Sequence, residues 1–395
     1  MEKVVSFLWQ STQIMIGYNL VFPLVLLLIF ILKPKRKKSS ITYPNVPDYA
    51  IIVTAYEQIS TLPAVVSSIL KLNYQNYLVY IVADKCDVSC LNFNDERVIV
   101  LRPEETLASN TRSHFYAIKH FKRNHQILTI IDSDNLVHPD YLNQLNIYFN
   151  QGFEAVQGVR EAKNLNTTYA CLDAARDIYY HFYDGKVLFD LGSSATLAGS
   201  GMAFTTSLYR NCLEKLNITG AGFDKVLQFE IVKRNKRIAF ASDAKVYDEK
   251  TSQTDQLVNQ RARWINTWFK YFKLGFTLVY LGITRFSWNQ LLFGIVLLRP
   301  PLFIFLILSV MFAFLNLFLN PIVTLIWVTG LLAFVLGFFV PVLSPETDKR
   351  VLQSLINIPK FMFFQVVSLM NVRKANKRSV ATRHFNEVKI DEIVK

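Results

Sequence analysis

Three runs of this chain carry no charged residue for long enough to cross a bilayer, and they decide what kind of protein it can be. They are residues 14–32, 301–319 and 322–343, that is 19, 19 and 22 residues. About 20 apolar residues in helical form cover the roughly 30 Å hydrocarbon layer of a membrane. A backbone in lipid must bond to itself, so each run is expected to be a helix. Hydrophobic residues make up 51% of the 395 and charged residues 18%. That excludes a disordered chain and fits a purely soluble one poorly.

Charge gives the expected orientation. Lys33, Lys35, Arg36, Lys37 and Lys38 follow the first run, and no small-residue cleavage site comes next. The run is expected to be a signal anchor, with the N-terminus outside and the chain after it in the cytoplasm. The other two runs are joined by Asn320 and Pro321 and form a hairpin, followed by Arg373, Lys374, Lys377 and Arg378. Residues 351–370 are apolar but broken by Gln353, Pro359 and Lys360, which suggests a helix lying in the interface. Residues 286–298 are left between spanning and lying on the membrane. The net charge of +13 sits at membrane borders and suits anionic lipid. With no base-stacking module in view, nucleic acid is not expected as a partner. Cys86, Cys90, Cys171 and Cys212 are too few for a disulfide scaffold and are expected as reduced thiols. The chain is therefore expected in a membrane as a multi-pass protein, with a bacterial inner membrane the favoured setting.

Four regions follow: an anchor with its basic flank (1–40), a cytoplasmic domain (41–270), an interfacial segment with the hairpin (271–345), and an amphipathic helix with a basic tail (346–395). In the second region, short apolar runs at 50–55, 78–83, 98–101 and 126–131 alternate with helical stretches such as 60–72 and 112–121. Continuous apolar runs suit parallel strands covered on both faces. The alternation predicts an α/β sheet, whose ligands gather at the carboxyl ends of the strands.

Those ends are acidic. The run 78–83 leads into Asp84, and 127–131 into Asp132, Ser133 and Asp134. Two carboxylates one residue apart can hold a hard divalent cation whose shell is completed by phosphate oxygens. They can equally cap the helix that Pro139 introduces, and spacing leaves both open. Asp224 opens a further helical stretch after a Gly-rich loop. Gln260, Arg263 and Trp264 share a helix face at i, i+3 and i+4. An arginine there can clamp phosphate. The same segment can lie at the lipid headgroups, with Trp264, Trp268 and Phe272 at fourfold spacing.

Taken in order, these motifs resemble the family-2 glycosyltransferases, in particular the membrane-embedded branch that includes cellulose, chitin, hyaluronan and poly-N-acetylglucosamine synthases. The motifs are Val53-Thr54-Ala55-Tyr56-Glu57, Ile81-Val82-Ala83-Asp84, Ile131 to Asp140 around the D-x-D, Val156-Gln157-Gly158, Gly199-Ser200-Gly201, Phe223-Asp224 and Gln260-Arg261-Ala262-Arg263-Trp264. The resemblance covers about residues 48 to 270. It implies a GT-A fold, the Rossmann-like nucleotide-diphospho-sugar transferase architecture, joined to transmembrane helices. It places Asp84 on the uracil of a UDP-sugar donor. Asp132 and Asp134 fall on the nucleotide diphosphate and on a divalent cation, Mg²⁺ or Mn²⁺. Asp224 falls on the catalytic base and Arg263 on the diphosphate. Gln260, Trp264, Gly199, Ser200 and Gly201 fall on the acceptor side. Phe223 stands where the family has Glu, and Ser109-Asn110-Thr111-Arg112 replaces the usual Gly-Lys.

The implied activity is inverting sugar transfer at the membrane, with membrane lipids around it. The favoured acceptor is a growing polysaccharide. The alternative is a single transfer to a lipid, as in ceramide glucosyltransferase. A non-catalytic scaffold is the third possibility, and the joint presence of Asp84, Asp132, Asp134 and Asp224 speaks against it.

Overall fold

The structure is a computed structural model and describes residues 2–34, 46–218, 220–375 and 388–394. The basic residues Lys35, Arg36, Lys37, Lys38, Lys377 and Arg378 lie outside these. Helix α1 (Glu2–Leu32) comes first and contains Pro23. The alternating middle then begins: β1 (Tyr49–Tyr56), α2 (Leu62–Leu70), β2 (Tyr77–Asp84), β3 (Val98–Leu101), α3 (Asn110–Lys119) and β4 (Ile127–Asp132). These are the four apolar runs and two helices expected from the sequence. Next come β5 (Leu136–Val137), α4 (Tyr141–Phe149), β6 (Ala155–Ala162) and α5 (Thr168–Tyr180). Helix α5 passes into a π-helical segment, His181–Val187, and the short α6 (Leu188–Asp190). The domain closes with β7 (Met202–Thr205), α7 (Thr206–Leu213), α8 (Phe223–Lys233) and β8 (Ile238–Asp248).

The eight strands form one sheet in the order β3-β2-β1-β4-β7-β6-β8-β5. The β3-β2-β1-β4 half is parallel, and β7 joins it antiparallel to β4. A strand's side chains alternate between faces. Tyr49, Ile51, Val53 and Ala55 therefore pack on the side of α2 and α4. Ala50 and Ile52 pack with α3, α7 and α8. Because both faces are covered, the strands read as unbroken apolar runs rather than alternating ones. The register pairs Thr54 with Asp132 and Tyr56 with Asp84, so the acidic strand ends lie along one edge of the sheet.

The amphipathic α9 (Thr254–Tyr271) leads to two short apolar helices, α10 (Leu274–Thr284) and α11 (Trp288–Leu298). At 11 residues each, they reach about 16 Å, half of what a crossing needs. They pack on each other and on α8, and Leu278 and Phe293 are buried in the same core as the sheet. Then follow α12 (Leu302–Leu319), α13 (Pro321–Val342), α14 (Lys349–Ser354), α15 (Ile358–Met370), α16 (Val372–Ala375) and α17 (Ile390–Ile393).

Among the described residues, four helical stretches are long and apolar enough to cross a membrane: α1, α12, α13 and the composite Lys349–Met370. The composite is broken by a 3-10 turn at Leu355–Asn357. It packs against α9 and α5 of the sheet domain. Helices α1, α12 and α13 pack together instead, with outward Phe314, Phe318, Leu325 and Leu336 exposed. Such a surface is costly in water and natural in lipid. Inside, Gln13 Oε1 accepts from Asn316 Nδ2 at 2.7 Å and from Trp327 Nε1 at 2.9 Å, tying the three helices together. Tyr179, Tyr183 and Leu188 pack with Leu20, Phe305 and Phe334, and Tyr183 Oη donates to Gly337 O at 2.7 Å. This docks the sheet domain on the apolar bundle.

Candidate active site

Strand β4 ends on Asp132, and the turn after it is held from behind. Ser200 Oγ accepts from the Asp132 backbone N–H at 3.0 Å and from Asn135 Nδ2 at 2.7 Å. Lys163 Nζ donates to the Asp134 carbonyl at 3.0 Å. Both carboxylates line one cleft. Burial, and after it the neighbouring Asp134 charge, push the Asp132 carboxyl up to about 7. Two crowded carboxylates in a poorly hydrated pocket are the condition a divalent cation relieves. Among the described residues no third His, Cys, Asp or Glu gathers with them into a metal-binding group. That donor set suits Mg²⁺ or Mn²⁺ completing its shell with water and phosphate oxygens.

Asp224 enters the same cleft from α8. Its helix starts at Gly222, whose φ is +98°; a Cβ there would stand 2.5 Å from Thr267 Cγ2 and 2.8 Å from Tyr271 Cε2 on α9. Only glycine lets α8 begin this close to α9. Lys225 Nζ lies 3.1 Å from the Asp224 carboxylate and donates to Leu197 O at 3.0 Å, which fixes the acid's place. The charge of Asp224 is near enough to Asp132 to raise its pKa. Phe223 walls the pocket and packs edge-on against buried His114.

Helix α9 presents Gln260, Arg261, Trp264, Ile265 and Trp268 to the cleft, and Phe272 just after it, but not Arg263. At about 100° per residue, Gln260, Trp264, Trp268 and Arg261 fall, in that order, within about 100° of the helix's circumference. Arg263 falls about 60° beyond Gln260 on the far side. The shared face is real, but its centre is rotated toward Arg261. Arg261 ion-pairs with buried Asp173. Arg261 and Arg176 lie 4.3 and 4.4 Å from the Trp264 ring centroid. At least one face of that indole is therefore already covered by guanidinium.

The remaining expected residues divide. Gly199 lines the cleft with open space at its Cβ position. Ser200 is fully buried behind the D-x-D turn, and Gly201 packs against Val246. Asp84 is buried and absent from the lining. Its two oxygens accept from the Leu107 and Ala108 backbone N–H groups at 2.9 and 2.7 Å. It thereby shapes the loop before Asn110, which does line the cleft.

Sequence reasoning missed an ionic network at the base of the cleft. Asp173, Arg176 and Asp177 on α5 join Arg160, Asp248 and Lys250. Asp184 pairs with Arg299 at 2.9 Å. Burial opposes the charge on Asp177, but Arg176 and Lys250 overcome it and hold its carboxyl below the usual range. Burial lowers His181 to about 4, so it is neutral. The signal was present: residues 173, 176, 177, 181 and 184 follow helical spacing inside an otherwise apolar stretch.

The cleft has a volume of about 920 Å³ and two characters. Near the sheet it is lined by the carboxylates. Toward the bundle it is lined by Leu306, Leu331, Phe334, Val335 and Phe338 of α12 and α13 and by Phe361 of α15.

Residues 47–267 match the family model described as "Glycosyltransferase like family 2". No curated protein matches the chain. Among solved structures, the mannosyltransferase PcManGT from Pyrobaculum calidifontis, in complex with GDP-Man and Mn²⁺, is similar at 12% identity and a TM-score of 0.55. The match covers 92% of this chain and 96% of that one. S. aureus TarS 1-349 is 14% identical, with a TM-score of 0.41, 86% of this chain and 93% of that one covered. At such identity the mannosyltransferase speaks for the fold alone, which is GT-A-like.

Proposed function

Because the chain belongs to glycosyltransferase-like family 2 and is a glycosyltransferase, we propose that it moves a sugar from a nucleotide sugar to a hydroxyl of a membrane lipid, with inversion. One observation carries this: a single cleft joins Asp132, Asp134 and Asp224 to an apolar arm between α12, α13 and α15. Walls such as Leu306, Leu331 and Val335 offer a polysaccharide's hydroxyls nothing to bond, and they suit an acyl or prenyl chain. That favours the lipid over the polymer as acceptor.

Asp224 accepts the proton of the acceptor hydroxyl while that oxygen attacks the anomeric carbon and the bond to the diphosphate breaks. Lys225 and the α9 contact at Gly222 position the carboxylate for this. Asp132 and Asp134 would hold a divalent cation, Mg²⁺ or Mn²⁺, which supplies positive charge to the leaving diphosphate. Phe223 excludes water. The basic residues after α1 support a cytoplasmic domain and an outside N-terminus.

The test is to incubate membranes containing the protein with labelled nucleotide sugars, UDP-sugars first, and to size the product. One sugar on a lipid supports the proposal. Label only in long polymer refutes the lipid acceptor.

A further inference from the structure

The turn that carries Asp132 and Asp134 is held by a helix as well as from behind. Along its length α2 is bonded to the chain that runs from Ser133 to Asp140. At its start, Thr61 Oγ1 donates to Ser133 O at 2.6 Å, and both residues line the cleft. In its middle, the buried Ser68 hydroxyl accepts from the Val137 N–H at 3.0 Å. Just past its end, the Asn73 N–H donates to Pro139 O at 2.9 Å, and Asn73 Nδ2 donates to the Asp140 carboxylate at 2.9 Å. A shift of α2 is therefore passed on to Ser133, which stands between the two carboxylates.

A remote piece of chain is seated on that helix. In Lys389-Ile390-Asp391-Glu392-Ile393-Val394 the apolar residues fall at i, i+3 and i+4, one face of a helical turn. The turn forms as α17: the Glu392 N–H donates to Lys389 O at 3.0 Å, and the Glu392 carboxylate accepts from the Lys389 N–H at 3.3 Å. Ile390 is 3% exposed and sits in the core that Val65, Val66 and Ile69 of α2 share, with Ile393 and Val394 packed against that core. Asp391 ion-pairs with Lys71, the residue that ends α2. That pair is exposed, so it orients the segment and adds little to holding it. The buried isoleucine is the anchor. Lys71 comes two residues before Asn73, so the segment bears on the end of α2 to which Pro139 and Asp140 are bound.

We propose that residues 389–394 brace the donor side of the site. Ile390, with Asp391 beside it, is a positioning residue that acts through α2 and keeps the turn of Asp132 and Asp134 in the shape that binds a divalent cation and a nucleoside diphosphate. This rests on the cation assigned to those two carboxylates above. The apolar arm for the acceptor is built on α12, α13 and α15. The brace therefore sets the affinity for the cation and leaves the acceptor KM alone.

The test titrates Mn²⁺ into the purified full chain with UDP or GDP present and follows binding by electron paramagnetic resonance. The KM for lipid extracted from the native membranes is measured in parallel. Ile390→Glu should weaken Mn²⁺ binding about fivefold or more, the worth of one bond lost between α2 and the turn, with the lipid KM within about twofold. Ile390→Leu, which refills the same space, should bind Mn²⁺ as the unaltered chain does. Thr61→Val, which removes a bond at the other end of α2, should weaken Mn²⁺ binding in the same way as Ile390→Glu. Ile390→Ser removes the same anchor more mildly and gives the same reading should the Glu variant fail to fold. Unchanged Mn²⁺ binding without the isoleucine would overturn the brace. So would a matching rise in the lipid KM, or a loss that Ile390→Leu shares. No Mn²⁺ bound by the unaltered chain would overturn the cation reading itself, and the brace with it.

Discussion

Replacing Ser200 by Ala should injure the donor side of the site, although the residue falls in a motif that the family resemblance places by the acceptor. Its hydroxyl is fully buried and accepts from two groups, the Asp132 N–H at 3.0 Å and Asn135 Nδ2 at 2.7 Å. Ser200→Ala leaves both donors without a partner. Each orphaned buried group costs about 1–3 kcal/mol, so the pair should cost about 3 kcal/mol after local relaxation. For a domain of this size about 1 kcal/mol moves the midpoint by roughly 2–4 °C, giving a fall of about 6–12 °C in detergent at a fixed scan rate. The turn carrying Asp132 and Asp134 also loses its rear support, and a misplacement of about 1 Å can cost about a hundredfold in rate. The metal concentration for half-maximal activity should rise, while the KM for the acceptor should hardly move. An unchanged midpoint together with an unchanged metal requirement would refute the support role. A change confined to the acceptor KM would return Ser200 to the acceptor side.

Three further outcomes are expected. Arg261→Met should cost about 2–4 kcal/mol, because it strips one partner from buried Asp173. Arg176 at 3.0 Å from Asp173 limits the loss, and a double-mutant cycle with Asp173→Asn should give a coupling above about 1 kcal/mol; additive losses would deny the pair. His114 is held neutral, its pKa lowered from 6.5 to about 3 by burial. The unfolded chain takes up that proton as pH falls below 6.5 and the folded one does not, so stability is lost on acidification, about 2 kcal/mol by pH 5. His114→Gln should flatten the denaturation midpoint's pH dependence between pH 6.5 and 5, and an identical slope would exclude His114 as its source. Gly222→Ala should lower turnover more than about tenfold, since the new Cβ meets Thr267 at 2.5 Å in a left-handed backbone. Full activity would mean that α8 need not start against α9.

The parts of the fold carried by local pattern were legible in the sequence. The four parallel strands lie within a residue or two of the apolar runs, because strands buried on both faces leave an unbroken signature. The acids at their ends were legible for the same reason. Asp132, Asp134 and Asp224 meet in one cleft. What was not legible depends on rotation and on distant partners. Spacing shows that Gln260, Arg263 and Trp264 share a face but not which edge of that face turns inward; packing of α9 against α15 and the ion pair to Asp173 of α5 turn Arg261 in. The Arg261–Asp173 pair joins residues 88 apart, and Arg299 reaches Asp184 from 115 away. Asp84 ends its strand as expected, yet the loop at Leu107 and Ala108 folds over it, and nothing local to either segment announces that contact.

The cleft also explains the order of the chain. The end of β4 and its turn present Asp132 and Asp134, α8 adds Asp224, α9 closes one side, and the π-helical segment after α5 ties the floor of the pocket to the apolar bundle through Tyr183 and Gly337. Irregular helical turns of this kind often occur at functional sites. Here the segment brings Asp184 and His181 to the junction between the polar and apolar parts of the lining.

The most direct measurement compares Asp224→Asn with the unaltered chain in two assays on one preparation: nucleotide-sugar binding by titration calorimetry, and transfer of labelled sugar to lipid. Binding should persist within about threefold, while transfer falls by roughly a hundredfold or more, the scale on which general-base catalysis operates. Transfer at near-normal rate in the Asn variant would contradict the account, because the proton would then be leaving by another route.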